Sequence, residues 1–197
     1  GKGVSGGLIA MTSGGTINVS GGEWIANTDG TYANSNKSVL VAQSDKQYNA
    51  GAGNAVVNVT GGTFKGGYNC YGNAVGDAQI NIKGGNFNAD PASYVVAGYE
   101  SVEENGVYTV GKPKALAAFE AAIAEGGNVT LASDVTLLET IEIENKVVID
   151  LNGKTVTAPS FSAFVAKTGG DLTIKNGKVV AYESTVRAIG GKATIES

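Results

Sequence analysis

Histidine is missing altogether from the 197 residues. Its absence removes the side chain that most often acts as a general acid or base near neutral pH. Ser-His and Cys-His nucleophile pairs go with it, and so do most zinc and copper sites. Cysteine occurs once, at Cys70, so no internal disulfide can form, and no zinc-ligand spacing surrounds it. A lone thiol of this kind reads as a small, partly buried residue of the core. Arginine also occurs once, at Arg187, in a chain of net charge −4 with 16% charged residues. Nucleic acid binding rests on cationic side chains, so this chain is poorly suited to it. No basic cluster addresses an anionic membrane. No apolar run approaches the roughly 18 residues that would span one, so no membrane insertion is expected. The first residue does not open a signal peptide, which reads the chain as an internal piece or a processed product.

What is abundant is glycine, 30 residues against three prolines, in a chain that is 42% apolar. That apolar content can fill a core, so the glycines do not signal disorder. They lack the every-third spacing of collagen. Many positions must instead need tight turns or positive φ.

One octet organises the chain. Residues 57–64 read Val-Asn-Val-Thr-Gly-Gly-Thr-Phe, residues 17–24 Ile-Asn-Val-Ser-Gly-Gly-Glu-Trp, and residues 80–87 Ile-Asn-Ile-Lys-Gly-Gly-Asn-Phe. The pattern is apolar, Asn, apolar, polar, Gly, Gly, any residue, aromatic. Val19 and Val59 are 40 residues apart, and Val59 and Ile82 are 23 apart. Val41 lies between the first pair, so the interval of 40 reads as two turns of about 20. Short β-branched strands also fill the second half, where Leu131, Leu151, Ile174 and Ile195 recur at a similar spacing. Strands are expected at 94–96 and 107–110 as well, closing the first half.

One helix is expected, over about 114–125. Leu116, Phe119 and Ile123 fall on one helical face. Pro113 suits the first turn, and Gly126-Gly127 stops the helix. Lys112 and Lys114 oppose the helix dipole at that end.

Strands of three to six residues returning every 18 to 23 are too closely spaced for propeller blades. They suit an all-β chain wound as a right-handed parallel β-helix, each coil rising about 4.8 Å and pairing with the next. Equivalent residues then stack. Asn18, Asn58 and Asn81 would form an asparagine ladder. Trp24, Phe64 and Phe87 would form an aromatic row. The Gly-Gly pair would turn the corner between two sheets.

The helix followed by Gly-Gly-Asn-Val-Thr-Leu-Ala-Ser-Asp-Val-Thr-Leu, and then Val-Ile-Asp-Leu-Asn-Gly-Lys-Thr-Val, resembles the opening of pectin-lyase-like right-handed β-helices. The Gly-Gly-x-aromatic coils and the Asp-Pro…Tyr…Asn-Gly-Val-Tyr-Thr-Val tail resemble the closing end of such domains in large bacterial surface, adhesin-like proteins. The resemblance implies a helix capping the first coil, and a place outside the cell, on the cell surface or on a phage virion. It also puts the ends in reverse order: residues 1–111 look like the closing half of a β-helix and residues 112–197 like the opening half. Either two β-helices meet in a tandem array or the unit is circularly permuted. Were Ser197 followed by a second Gly1, the step from Ile195 to Val19 would match the steps already seen, and the ladder would continue in register. Open coil ends would then favour head-to-tail self-association.

Lyases of this fold use a Lys or Arg base beside a calcium-binding acidic cluster. Arg187 has no aspartate at a coil-related position and reads as a solvated charge beside Glu183. Hydrolases of this fold use a close set of aspartates. Here Asp77, Asp90, Asp134, Asp150 and Asp171 stand singly, and only Asp150 and Asp171, 21 apart, would share neighbouring coils. Turn roles suit them better. No Asp-x-Asp-x-Asp run supports calcium, so no cofactor is expected, with calcium as the one alternative. Glycan contact falls to aromatics. Tyr68 and Tyr71, in a Gly/Asn-rich stretch read as a loop, are the first candidates, with Trp24 and Tyr32 behind them. The leading expectation is a non-catalytic structural or adhesive segment that touches glycans through these rings. A polysaccharide lyase or glycoside hydrolase with an incomplete site is the alternative.

Overall fold

The computed structural model describes residues 9–11, 14–26, 38–44, 53–72 and 78–196. They form an all-β chain with parallel sheets and one α-helix. The chain divides into two compact units, Gly1–Lys112 and Pro113–Ser197, and each has its own hydrophobic core.

In the first unit, three passes of the chain supply three strands each. The first pass gives β1 (Ile9–Met11), β2 (Gly15–Val19) and β3 (Glu23–Ile25). The second gives β4 (Ser38–Ser44), β5 (Ala55–Val59) and β6 (Thr63–Lys65), and the third gives β7 (Gly67–Gly72), β8 (Ala78–Ile82) and β9 (Gly85–Phe87). Each strand pairs in parallel with its counterpart on the next pass, giving the orders β1-β4-β7, β2-β5-β8 and β3-β6-β9. A parallel partner is reached only by a crossover. Here the crossovers are themselves strands of the other two sheets. The alternation of the octet explains its burial: Val57 and Val59 point inward and are fully buried, while Asn58 between them faces outward.

Register pairs Val19 with Val59 and Val59 with Ile82. The long interval from Val19 to Val59 is therefore one pass and not two. Val41 stacks between Ala10 and Asn69 in another sheet. Counting strands along the sequence does not distinguish a neighbour within a sheet from the next strand round the same pass. Residues 27–37 and 45–52, which fall within this long pass, lie outside the described residues.

Beyond β9 the chain makes a 3-10 turn (Ala92–Tyr94) and a hairpin of β10 (Glu100–Glu104) and β11 (Val107–Gly111). The strand expected at 94–96 is this turn followed by a single bridge from Val95 to Ile82. The Asp90 carboxylate accepts the Ala92 N–H at 2.9 Å and bends the chain there. β11 lies antiparallel on β9, and the Val96 N–H donates to the Ile82 carbonyl at 3.0 Å. The β8 and β9 edges are thus covered. Strand β10, with three glutamates in five residues, carries no apolar alternation, and only its hairpin reveals it. Asn105 and Gly106 at the tip both take positive φ, 54° and 78°, as a tight hairpin turn requires.

The second unit opens with α1 (Lys114–Glu125), which buries Leu116, Phe119 and Ile123. Asn145 Nδ2 donates to the Ala124 carbonyl at 3.0 Å and caps its last turn. Three further strand sets follow: β12 (Gly127–Thr130), β13 (Val135–Thr136), β14 (Ile141–Ile143); β15 (Lys146–Asp150), β16 (Thr155–Ala158), β17 (Phe164–Ala166); β18 (Asp171–Lys175), β19 (Lys178–Ala181), β20 (Val186–Ala188). A last strand, β21 (Lys192–Glu196), begins the next pass. The parallel orders are β12-β15-β18-β21, β13-β16-β19 and β14-β17-β20. Ile174 stacks on Ile149, two residues short of the expected Leu151, because the pass from β15 to β18 is longer than the passes before and after it. A shift of two keeps every side chain on its face, so the inward pattern survives the error. Strands β17 and β20 were not expected. All three residues of β17 are buried, which leaves no alternation to read.

Candidate functional site

The octet is a corner. Gly22, Gly62 and Gly85 take positive φ of 91°, 116° and 121°, which a side chain rarely adopts. A Cβ on Gly84 would come within 2.4 Å of the Thr60 carbonyl oxygen. The two glycines let successive passes stack at the bend, and they do not form a ligand loop. Next to the corner, Asn58 Nδ2 donates to Asn18 Oδ1 at 2.9 Å and Asn81 Nδ2 donates to Asn58 Oδ1 at 3.0 Å. Phe64 and Phe87 stack in register, with ring centroids 4.9 Å apart and planes 11° apart.

Of the four aromatic candidates, Trp24 and Tyr68 have described side chains. Trp24 stands in register with Phe64, half-buried, and its Nε1 donates to the Gly21 carbonyl at 2.9 Å. Tyr68 lies on strand β7 and not in a loop. Its half-buried ring packs edge-on to Phe87 and tilted against Tyr94, and its hydroxyl donates to the Ala89 carbonyl at 2.6 Å. Burial first, and the nearby Asp90 carboxylate second, push the Tyr68 phenol above its usual range. Tyr71 and Cys70 share β7, and their side chains lie outside the described residues, as does all of Tyr32.

Three of the aspartates accept main-chain hydrogen bonds: Asp90 and Asp150 within turns, and Asp134 from the next pass. Asp134 accepts the Thr155 N–H at 2.8 Å. Asp150 accepts the Asn152 N–H at 2.9 Å and Asn176 Nδ2 at 3.1 Å. These hydrogen bonds, the backbone one foremost, hold the Asp150 carboxyl below its usual range. Asp150 and Asp171 are not stacked. Asp150 lies opposite Thr130 and Lys175, and Asp171 lies opposite Lys146 and Lys192. The longer pass from β15 to β18 moves them out of register, so they form no paired-carboxylate site. Asp77 lies outside the described residues. Arg187 is exposed on β20, opposite Val165. Among the described residues no three of His, Cys, Asp and Glu gather where a metal ion could sit, and no helix is long and apolar enough to cross a membrane.

Sequence reasoning reached the outermost strands of each unit only by arithmetic. Among the described residues no strand pairs with the outer edge of β1, β2 or β3, nor with that of β19, β20 or β21. Ile195 shows the consequence. It continues the stack of Ile149, 0% exposed, and Ile174, 3% exposed, yet is itself 64% exposed. Val180, Tyr182 and Ile189, on the pass before, are exposed as well. At the opposite ends, β11 pairs with β9 in the first unit, and α1 packs into the core of the second. Comparison with protein-family models, with curated proteins and with solved structures finds no match to this chain.

Proposed function

We propose that both units are stretches of right-handed parallel β-helix of the pectin-lyase-like kind, and that the chain is a non-catalytic structural or adhesive segment of a secreted or surface-displayed bacterial or phage protein. The observation that carries this reading is the use of polar side chains. They serve stacking and turns, as in the Asn18–Asn58–Asn81 ladder, Asp134 holding the Thr155 N–H of the next pass, and the turn-bound Asp150. The work of such a segment is mechanical: a rigid, stacked wall that holds a surface at a distance. Glycan contact, where it occurs, falls to Trp24 and to Tyr71 and Tyr32, since the Tyr68 ring is already packed against Phe87 and Tyr94. The reading calls for no cofactor, calcium included.

Incubation with pectin-like polymers and other acidic polysaccharides, followed by assay for unsaturated or reducing ends, tests the proposal. No release with or without calcium is the expected result. Depolymerisation that survives purification and is lost in Arg187→Ala would overturn it in favour of a lyase. A glycan array in parallel reports on adhesion.

A further inference from the structure

We infer that the outer edge of β10 binds an extended segment of another polypeptide, one that alternates lysine or arginine with apolar residues. Such binding is additional to the structural role proposed above and does not depend on it.

The edge lies within the sequence, among residues described without a break from 78 to 196. Strand β10 ends the sheet order β10-β11-β9-β6-β3. Its hydrogen-bond phase follows from the turn. Glu104 pairs with Val107 across Asn105-Gly106, both at positive φ. The pair that flanks such a two-residue turn exchanges both main-chain hydrogen bonds. Antiparallel pairs alternate in this respect. Val102 and Glu100 therefore also bond to β11, opposite Thr109 and Gly111. Ser101 and Glu103 turn their N–H and C=O groups to the other edge. Among the described residues no main-chain hydrogen bond reaches either of them there. Unpaired groups on an exposed strand are a template for a further strand.

Side chains decide which strand fits. Glu100, Val102 and Glu104 share one face of β10, and all three are exposed. Val107 lies diagonally across from Val102 on that face and is exposed too. Strand β11 supplies no charge. Charges on an edge deter pairing with a strand of like charge, a second β10 included. They favour a strand of opposite charge, because opposite charges facing across a ladder stabilise it. Lysines opposite Glu104 and Glu100, with an apolar residue opposite Val102, satisfy the carboxylates and cover the two valines together. Glu103 is exposed on the other face, where one of its oxygens accepts the Gly106 N–H at 2.6 Å. Ser101 adds an observation independent of charge. Its hydroxyl oxygen is shut off from solvent and has no hydrogen-bond partner. Buried polar atoms of this kind are rare, and a serine or threonine opposite Ser101 supplies one with its partner.

The probe is the peptide Gly-Lys-Lys-Val-Thr-Lys-Gly, which in the antiparallel sense sets its valine opposite Val102 and its threonine opposite Ser101. Amide hydrogen exchange of the whole chain reads the phase. In the free chain the Val102 and Glu104 amides are expected to exchange slowly and the Ser101 and Glu103 amides fast. Saturating peptide is expected to slow the second pair, with chemical-shift changes centred on 100–104. N-methylation of the peptide at the residues opposite Ser101 and Glu103 keeps its charges and removes those donors. It is expected to weaken binding about tenfold or more. Glu104→Lys, at an exposed position, is expected to weaken it similarly and to leave the far-UV circular dichroism unchanged. Equal affinity for the methylated peptide means that charge alone attracts it, and overturns the inference. Binding undiminished in Glu104→Lys overturns it as well. So do slow Ser101 and Glu103 amides in the free chain, or no binding of the peptide.

Discussion

Asn58 is the one ladder residue that both donates and accepts, giving a hydrogen bond to Asn18 and receiving one from Asn81. Net hydrogen-bond contributions run at about 0.5–1.5 kcal/mol each. Asn58→Ala is therefore expected to cost about 1–3 kcal/mol in urea unfolding, and Asn18→Ala about half as much. Equal effects would mean that the amides act singly and not as a ladder. Tyr68 gives a test in pH. Its folded-state pKa is raised, chiefly by burial, so the fold favours the neutral phenol. That contribution is complete below the unfolded value of about 10 and is lost as pH rises through the folded one. The wild-type chain should lose stability between about pH 10 and 12. Tyr68→Phe, which keeps the ring against Phe87 and Tyr94, should lose less over the same interval, as measured by denaturant unfolding at fixed pH.

At the scale of elements, the helix closes the end of its unit by packing alone. Pro113 makes no side-chain cap, and the first turn holds no acid. What anchors α1 is Leu116, Phe119 and Ile123 against the strands, with the Phe119 ring edge-on to Phe164 at 6.4 Å. Phe119→Ala is expected to cost about 3–5 kcal/mol and to uncover the end of the second unit, seen as a lower Tm and new dye binding. An unchanged Tm would mean that the helix is dispensable. This helix was legible from its residues because three apolar positions at helical spacing admit one reading. The octet strands were legible for a like reason, since strict alternation fixes the inward face. The same argument explains the misses. Strand β17 is buried on both sides of its backbone and shows no alternation. Strand β10 is held by a hairpin rather than by an inward face. Val41 sits at a plausible spacing in the wrong sheet. Of the candidate site, the asparagines were legible because identical residues recur at identical places. Tyr68 was misplaced because glycine-rich composition suggests a loop, while pairing with β4 makes the segment a strand.

At the scale of the whole molecule, each unit is a stack of three-stranded passes in parallel register. The central claim is the stacking itself, with successive passes in parallel register around one core per unit. Nuclear Overhauser contacts of the Val59 amide and α protons measure it most directly. The account expects contacts from Val59 to the neighbours of Val19 on one side and to the neighbours of Ile82 on the other, without the close α-proton pairs of antiparallel strands. Contacts from Val59 to Val41, or antiparallel α-proton pairs along β5 and β8, would contradict it.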